Sequence, residues 1–388
     1  MIKFDVIVVG AGPAGSSAAR FCAKGNLKTL LLEKEKMPRE KRCAGGVSKA
    51  ALDELDFALP EELVERRCWG MSLSLGKLRN EATNDSPVAV MVTRNKFDSF
   101  LAEKAREAGA EVRDGEEYLS ATAEKDGVIV KTARETYACR IVIGADGIHS
   151  RVAKLVRAPF KQKEIRFCLI AEIPMQKERI SELLHDRVVI WYGFIDMGYA
   201  WLFPKGDYIS AGIGGTFEQA RNLKEKFGEF LTRNNLPADV KMKGCLIPLS
   251  EFGYNVYSER AMITGDAAGF ADAFSGEGIR FAIASGRMAA ESALECRKKN
   301  DFSKNILKSY EERARKEFIG DLKCSARMTN LSFSHPRLIL ATAIGNKDVL
   351  KKYFGTMTGE ISFREYSDWF KLRLPYFLLK RIFSRRKN

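Results

Sequence analysis

The sequence has few histidines, no cysteines at metal-ligand spacing and no long uncharged apolar run, and each absence removes a class of protein. Its 388 residues include three histidines and eight cysteines: Cys22, Cys43, Cys68, Cys139, Cys168, Cys245, Cys296 and Cys324. No C-x-x-C pair occurs, so zinc spacings are missing and no metal site is expected. His149, His185 and His335 show no ligand or general-base spacing. Scattered thiols fit a reduced, cytoplasmic setting. No stretch reaches the roughly 18 uncharged apolar residues that a membrane-spanning helix requires. The chain enters an apolar strand at Phe4 and meets its first glycine at Gly10, which leads us to expect no presequence. Fixed-period repeats and low-complexity tracts are also lacking. Acidic residues are in the minority, 50 against 64 Lys and Arg, for a formal net charge of +14. That balance suits an anionic partner such as a membrane surface, an acidic protein or a phosphorylated substrate. No nucleic-acid motif accompanies it, so nucleic acid is not an expected partner.

What is present begins with Phe4–Val9, an apolar run that reads as a strand buried on both faces. Gly10-Ala11-Gly12-Pro13-Ala14-Gly15 follows, then helix-forming residues from Ser16 to Ala23 with Gly25 as the stop. Thr29–Leu32 is a second apolar strand, and Glu33 ends it. A lone G-x-G-x-x-G is weak evidence, but here it lies between a strand and a helix, with an acid closing the next strand. Gly10 permits the tight turn, Gly12 admits a pyrophosphate close to the backbone, and Gly15 lets helix and strand approach. Ala14 lies in the same turn. The helix N-terminus offers free N–H groups and a partial positive charge to that phosphate. Glu33 is placed to accept hydrogen bonds from ribose hydroxyls and would repel a 2′-phosphate. The motif by itself does not choose between FAD and NAD.

Further along, Arg94–Gly109 reads as a helix with Phe97, Phe100, Leu101 and Ala105 at helical spacing. Tyr137–Ile143 reads as one strand running into Gly144-Ala145-Asp146-Gly147. From about residue 164 to 260 the character changes. Val188–Tyr192, Tyr199–Phe203 and Tyr208–Ile213 alternate in a way that predicts an antiparallel sheet. Ala261–Thr264 returns to the buried-strand type before Gly265-Asp266, and Gly278 opens a helix to about Lys298. Mostly helical sequence follows Ser303. The expected architecture is α/β with an α+β insertion. A Rossmann-like domain is made of residues 1–70, 94–163 and 261–300. An antiparallel-sheet substrate domain takes 71–93 and 164–260, and a C-terminal helical region takes 301–388.

These later motifs carry a resemblance. Gly144–Gly147 followed by Ser150-Arg151-Val152, together with Gly265-Asp266, resembles the FAD-dependent group that includes aromatic hydroxylases, flavin halogenases and geranylgeranyl reductases. The resemblance covers about residues 1–300 and implies FAD. It implies that Asp146 and Asp266 belong to the cofactor site, with Asp266 on the ribityl chain. Gly278 and Ile279 would face the flavin pyrimidine, where helix N–H groups stabilise negative charge. Arg94-x-x-Phe97-Asp98 is similar to the group's R-x-x-F-D helix start, whose arginine contacts FAD. Tyr118 falls where relatives offer a backbone contact to adenine.

Two stretches resemble the geranylgeranyl reductases in particular. Arg42-Cys43-Ala44-Gly45-Gly46-Val47-Ser48 is similar to their cysteine loop beside the flavin. This implies cofactor contacts for Arg42, Cys43, Ala44 and Gly46, and leaves the Cys43 thiol or a bound water as the candidate proton donor. Ala44 departs from the Gly of some relatives. Tyr199-Ala200-Trp201-Leu202-Phe203-Pro204 with Gly212-Ile213-Gly214 is similar to the Y-x-W-x-F-P and G-x-G pattern that lines a lipid tunnel. It implies substrate contacts for Tyr199, Trp201, Phe203, Pro204, Gly212 and Gly214. On alternation alone, Tyr199, Trp201 and Phe203 are also what any half-buried strand shows.

The implied activity is FAD-dependent saturation of geranylgeranyl C=C bonds, on archaeal-type ether phospholipids. Alternatives are a prenyl-quinone or geranylgeranyl-diphosphate reductase, an FAD monooxygenase, or a non-catalytic prenyl-binding carrier. No second complete G-x-G-x-x-G unit serves a nicotinamide, so the electron donor is expected to be a ferredoxin or docked NAD(P)H. Residues 369–388 interleave Trp369, Phe370, Leu372, Leu374, Phe377, Leu378, Leu379, Ile382 and Phe383 with Lys371, Arg373, Lys380, Arg381, Arg385, Arg386 and Lys387. Such a tail fits peripheral contact with an anionic membrane, or a packing helix with a solvated basic end. Pro375 is expected to keep its amphipathic piece short.

Overall fold

Val6–Val9, Thr29–Glu33 and Ile141–Gly144 are buried along their whole length, as strands covered on both faces must be. In the computed structural model, which describes residues 2–249 and 255–385, they form the centre of a six-stranded sheet. Its order is Tyr257–Ser258, Ala261–Ile263, Ile141–Gly144, Val6–Val9, Thr29–Glu33, Glu111–Asp114. All neighbours run parallel except the hairpin that adds Tyr257–Ser258. The motif loops at Gly10, Glu33, Ala145 and Gly265 therefore leave the same carboxyl edge of one sheet, where open α/β sheets bind ligands.

The chain divides into two compact units. One comprises Met1–Lys41, Arg94–Glu164 and Pro248–Leu322; the other comprises Arg42–Thr93, Ile165–Ile247 and Lys323–Asn388. In the first unit, helix Pro13–Lys24 packs against the long helix Ile279–Lys299. A Cβ at Gly286 would collide with the Ala14 carbonyl, and Ser17 Oγ donates to the Ile283 carbonyl at 2.8 Å. This contact ties the first glycine motif to the helix that Gly278 opens. Tyr310, on helix Lys304–Ala314, donates its hydroxyl to the Ile263 carbonyl at 2.8 Å and pins that helix to the sheet.

The expected single strand Tyr137–Ile143 is two strands in two sheets. Thr136–Cys139 belongs to a four-stranded sheet with Ile2–Lys3, Gly127–Thr132 and Tyr118–Glu124, whereas Ile141–Gly144 enters the parallel sheet. The break falls at Arg140, where the Asp5 carbonyl accepts from both Arg140 N–H (3.0 Å) and Ile141 N–H (3.2 Å).

The second unit holds a seven-stranded sheet in the order Lys243–Pro248, Ile165–Pro174, Tyr208–Thr216, Tyr199–Pro204, Arg187–Tyr192, Gly70–Leu75, Leu78–Thr83. The pairs formed by the three alternating segments are antiparallel, as expected. Arg187–Tyr192 and Gly70–Leu75 instead run parallel, because the sheet recruits Gly70–Leu75 from a distant stretch of chain rather than through a hairpin. One face is a closed apolar core. Ala171, Ala200, Leu202, Ala211 and Ile213 pack there with Phe227, Phe230 and Leu231 of helix Leu223–Arg233. Tyr199, Trp201 and Phe203 alternate onto the opposite face. The C-terminal helix Phe363–Arg385 runs through Pro375 without interruption. Pro375 and Lys371 are both exposed there, so water can serve the carbonyl that loses its donor.

Candidate cofactor and substrate site

In the first unit the glycine turn has the geometry its sequence requires. Gly10 has φ +101°, and its N–H donates to the Leu32 carbonyl at 2.7 Å. A Cβ at Gly10 would lie 2.5 Å from the Ala145 carbonyl oxygen, and one at Gly15 would collide with the Gly10 carbonyl. Gly12 differs. It is the N-cap of helix Pro13–Lys24, no side chain caps that end, and the first turn holds no acid. A Cβ at Gly12 would meet nothing nearer than Arg39 Nη2, at 3.6 Å. The fold thus leaves an open, electropositive cradle above the helix N-terminus, with a guanidinium beside it, and this fits a pyrophosphate.

Glu33 is buried, and its Oε2 accepts the Ala11 N–H at 3.0 Å and pairs with Arg39 Nε at 3.0 Å. Among the described residues its Oε1 accepts only the Glu35 N–H, at 3.2 Å, which leaves acceptor capacity for a ribose hydroxyl. Arg39 Nη1 continues to Asp98 at 3.1 Å, and Asp98 is held bidentately by Arg94 at 2.8 and 2.9 Å. Asp98 is fully buried. The result is an alternating chain of charges, Glu33–Arg39–Asp98–Arg94, running from the ribose acid to the R-x-x-F-D helix. The sequence marks Arg94 and Asp98 as a helix start but gives no sign that Arg39 joins them to Glu33.

The remaining cofactor candidates of this unit occupy distinct settings. Asp146 accepts from Ser150 Oγ (2.5 Å) and from the N–H groups of Arg151 (2.7 Å) and Val152 (3.2 Å). It shapes its own turn, and burial raises its pKa above the ordinary carboxylate range. The Tyr118 carbonyl accepts from Arg151 Nη1 at 3.0 Å. The Asp266 carboxylate makes no hydrogen bond among the described residues, while its backbone carbonyl accepts the Gly269 N–H at 3.1 Å. A Cβ at Gly278 would lie 3.5 Å from its Oδ1. Gly278 and Ile279 are the N-cap and first residue of the long helix, again with no side-chain cap and no acid in the first turn. An accessible carboxylate beside an uncapped helix end fits a polyhydroxyl chain and an electron-rich ring edge.

In the second unit the cysteine loop packs on the aromatic strand. Arg42 Nη1 donates to the Gly244 carbonyl at 2.9 Å. The Gly45 N–H points to Cys43 Sγ at 3.4 Å. Ala44 lies between these two residues in the loop. A Cβ at Gly46 would come 3.0 Å from the Phe203 ring. Pro204 is buried at the end of the strand, opposite Ile209. Tyr199 and Trp201 meet edge to face with centroids 6.0 Å apart. Both glycines of the G-x-G serve neighbours across the sheet. A Cβ at Gly212 would collide with the Trp201 indole, and one at Gly214 would lie 2.5 Å from Cys168 Sγ. The Trp201 indole N–H is buried without an acceptor, so that ring presents π surface rather than a satisfied polar edge. Lys205, which follows Pro204 and is 1% exposed, is not marked by any sequence pattern.

These loops and uncapped helix ends define a flavoprotein. A family model described as FAD binding domain matches residues 3–319, and FAD is the cofactor. The chain is 32% identical over 336 residues to the digeranylgeranylglycerophospholipid reductase of Methanocaldococcus jannaschii, spanning 80% of this chain and 82% of that one. It is 34% identical over 316 residues to the chloroplastic geranylgeranyl diphosphate reductase of Arabidopsis thaliana, spanning 76% and 66%. A solved geranylgeranyl bacteriochlorophyll reductase-like protein from Thermoplasma acidophilum matches with a TM-score of 0.81 at 24% identity, over 98% of both chains; it speaks for the fold. The chain belongs to the geranylgeranyl reductase family of FAD-dependent oxidoreductases.

Proposed function

We propose that this protein saturates the C=C bonds of geranylgeranyl chains carried by archaeal-type ether phospholipids. The observation that carries the reading is the packing of the Cys43–Gly46 loop on the strand of Trp201 and Phe203, in a chain whose relatives are geranylgeranyl reductases. When bound, FAD in its reduced form supplies a hydride. Gly12, Arg39, Glu33, Asp266 and the helix ends at Gly12 and Gly278 would hold it.

The chain's own residues have the other half of the task. An isolated trisubstituted alkene is not electrophilic, so it needs a proton at its less substituted carbon. Cys43 is the proposed donor of that proton. Positive charge then develops at the more substituted carbon. The faces of Trp201 and Tyr199 favour it, and an apolar wall keeps water from it.

A lipid substrate also explains the tail. Leu372, Tyr376 and Leu379 of helix Phe363–Arg385 are 80%, 59% and 54% exposed. They lie at i, i+4 and i+7 on one face, beside Lys371, Arg373 and Lys380. Ile382, Phe383, Arg385, Arg386 and Lys387 lie outside the residues whose side chains are described. We propose that this face rests on an anionic membrane. No helix among the described residues is long and apolar enough to cross one. The net charge of +14 supports an acidic ferredoxin as electron donor.

The deciding experiment is anaerobic incubation of the dithionite-reduced holoenzyme with unsaturated archaeal phospholipid, read by mass spectrometry. Each saturated bond adds two hydrogens. Lipid that returns unchanged, while geranylgeranyl diphosphate or a prenyl quinone is reduced, moves the substrate to that class. Substrate-dependent oxygen uptake without saturation would make the protein a monooxygenase.

A further inference from the structure

An ammonium is costly to hold in a protein interior unless a negative group faces it. The Lys205 Nζ donates to the Val92 carbonyl at 2.7 Å, its one hydrogen bond, and it forms no salt bridge among the described residues. Gly45 packs directly on that contact: with φ +70°, it has no room for a Cβ, which would overlap the Val92 oxygen and lie 2.5 Å from Nζ. The Gly45 carbonyl accepts the Val92 N–H at 2.8 Å, while its N–H points to the Cys43 sulfur at 3.4 Å. The buried ammonium and the Cys43 thiol thus share one glycine.

The other charged and titratable groups around Lys205 are Glu65, Cys68 and Glu172. Neither carboxylate reaches it as an ion pair. Glu65 accepts from Thr93 Oγ1 through Oε1, and its Oε2 is buried without a partner. Thr93 Oγ1 is 3.3 Å from the Tyr208 hydroxyl. Arg66 donates to the Lys205 carbonyl at 3.2 Å and is itself neutralised by Asp186 at 2.6 Å. Burial pulls the Lys205 pKa below its ordinary value, opposed first by the charge of Glu65 and next by that of Cys43.

We infer that Lys205 is the counter-ion of the thiolate that Cys43 becomes when it gives up its proton, a positioning residue that acts through Cys43 and never touches the substrate. The inference rests on Cys43 as proton donor. In that step the S–H bond breaks, the proton forms a C–H bond at the alkene, and the electron pair stays on sulfur. The ammonium then faces an anion across Gly45 in addition to the charge of Glu65, and the Gly45 N–H donates to the same sulfur. A proton from solvent restores the thiol. The charge stabilises the anion that the departing proton leaves behind.

The test reads Cys43 itself. In the FAD-loaded protein, the rate of iodoacetamide alkylation is followed against pH, and peptide mass spectrometry separates Cys43 from the other cysteines. Lys205→Met keeps the length and removes the charge. It should raise the pH of half-maximal reactivity by about one unit or more, the usual effect of a close charge. Lys205→Arg should keep the midpoint near that of the parent. Glu65→Gln removes an anion facing the same group and should lower the midpoint. An unchanged midpoint in Lys205→Met, or shifts of the same sign in Lys205→Met and Glu65→Gln, overturns the assignment. If Lys205→Met does not retain FAD, Glu65→Gln decides, and a midpoint that fails to fall rejects the pairing. Turnover of Cys43→Ala tests the underlying reading separately. Full activity there removes the thiol as acid, whatever the alkylation profile shows.

Discussion

Arg39 and Asp98 form an ion pair at 3.1 Å in which the carboxylate is fully buried and the guanidinium side chain is 9% exposed. The same guanidinium reaches Glu33 at 3.0 Å. One arginine therefore fixes the acid at the end of the second strand to the helix Arg94–Glu107, and its remaining nitrogen stands beside Gly12.

Removing that arginine leaves Glu33 buried without its ion pair, while Asp98 keeps Arg94. Arg39→Met should cost about 3–5 kcal/mol of stability, the usual penalty for breaking one side of a buried pair. Bound FAD should be lost along with it. Thermal unfolding and the visible flavin absorbance of the purified variant check both. Lys41→Met, two positions on, should leave the flavin in place.

The indole of Trp201 lies where Gly212 has no Cβ. Gly212→Ala should displace the ring, at about 1–3 kcal/mol of overpacking, and reduce turnover with FAD retained. Trp201→Phe removes an N–H that has no acceptor, so stability should hold within about 1 kcal/mol while turnover falls several-fold, because Trp is the better cation-stabilising face. Chemical denaturation and steady-state saturation assays separate the two effects.

The exposed face of the last helix makes a prediction that avoids its core. Phe377 is buried against Trp369 and Phe370, so truncation there would unfold the helix as well as remove the face. The double variant Leu372→Glu, Leu379→Glu changes only exposed positions. It should keep its unfolding midpoint and lose tenfold or more of its binding to anionic vesicles, since each buried leucine contributes about 1.5–3 kcal/mol. Liposome flotation at constant ionic strength measures this. Undiminished flotation would make the helix a packing element alone.

Glu295 is one source of acid sensitivity in the first unit. Hydrogen bonds from Lys299 and then Arg313 lower the Glu295 pKa to about 2. A carboxyl with a folded pKa below its unfolded one stabilises the protein above the unfolded value, and that contribution is lost as pH falls toward the folded one. Glu295→Gln should therefore be less stable than the parent at neutral pH. The difference should shrink below about pH 4.3, the ordinary glutamate value. Urea unfolding at a series of pH values tests the slope.

Neighbouring residues encode the elements that local geometry governs. A strand buried on both faces, a turn that only glycine can make and a helix start are written into neighbouring residues, so Gly10–Gly15, Glu33 and the helix at Gly278 were legible, while FAD came from the resemblance that the later motifs carry. The break at Arg140 was not. A one-sided strand and a two-sided strand joined end to end look like one apolar run, and only the strands that pair with each half tell them apart. The same holds for the site. The groups that Arg39 and Lys205 face are not their immediate neighbours in the chain. Folding brings Asp98 and Glu33 to the first, and the Gly45 backbone and Cys43 loop to the second. Charges interact through space with an energy set by distance and burial, and neither quantity exists until the tertiary structure does.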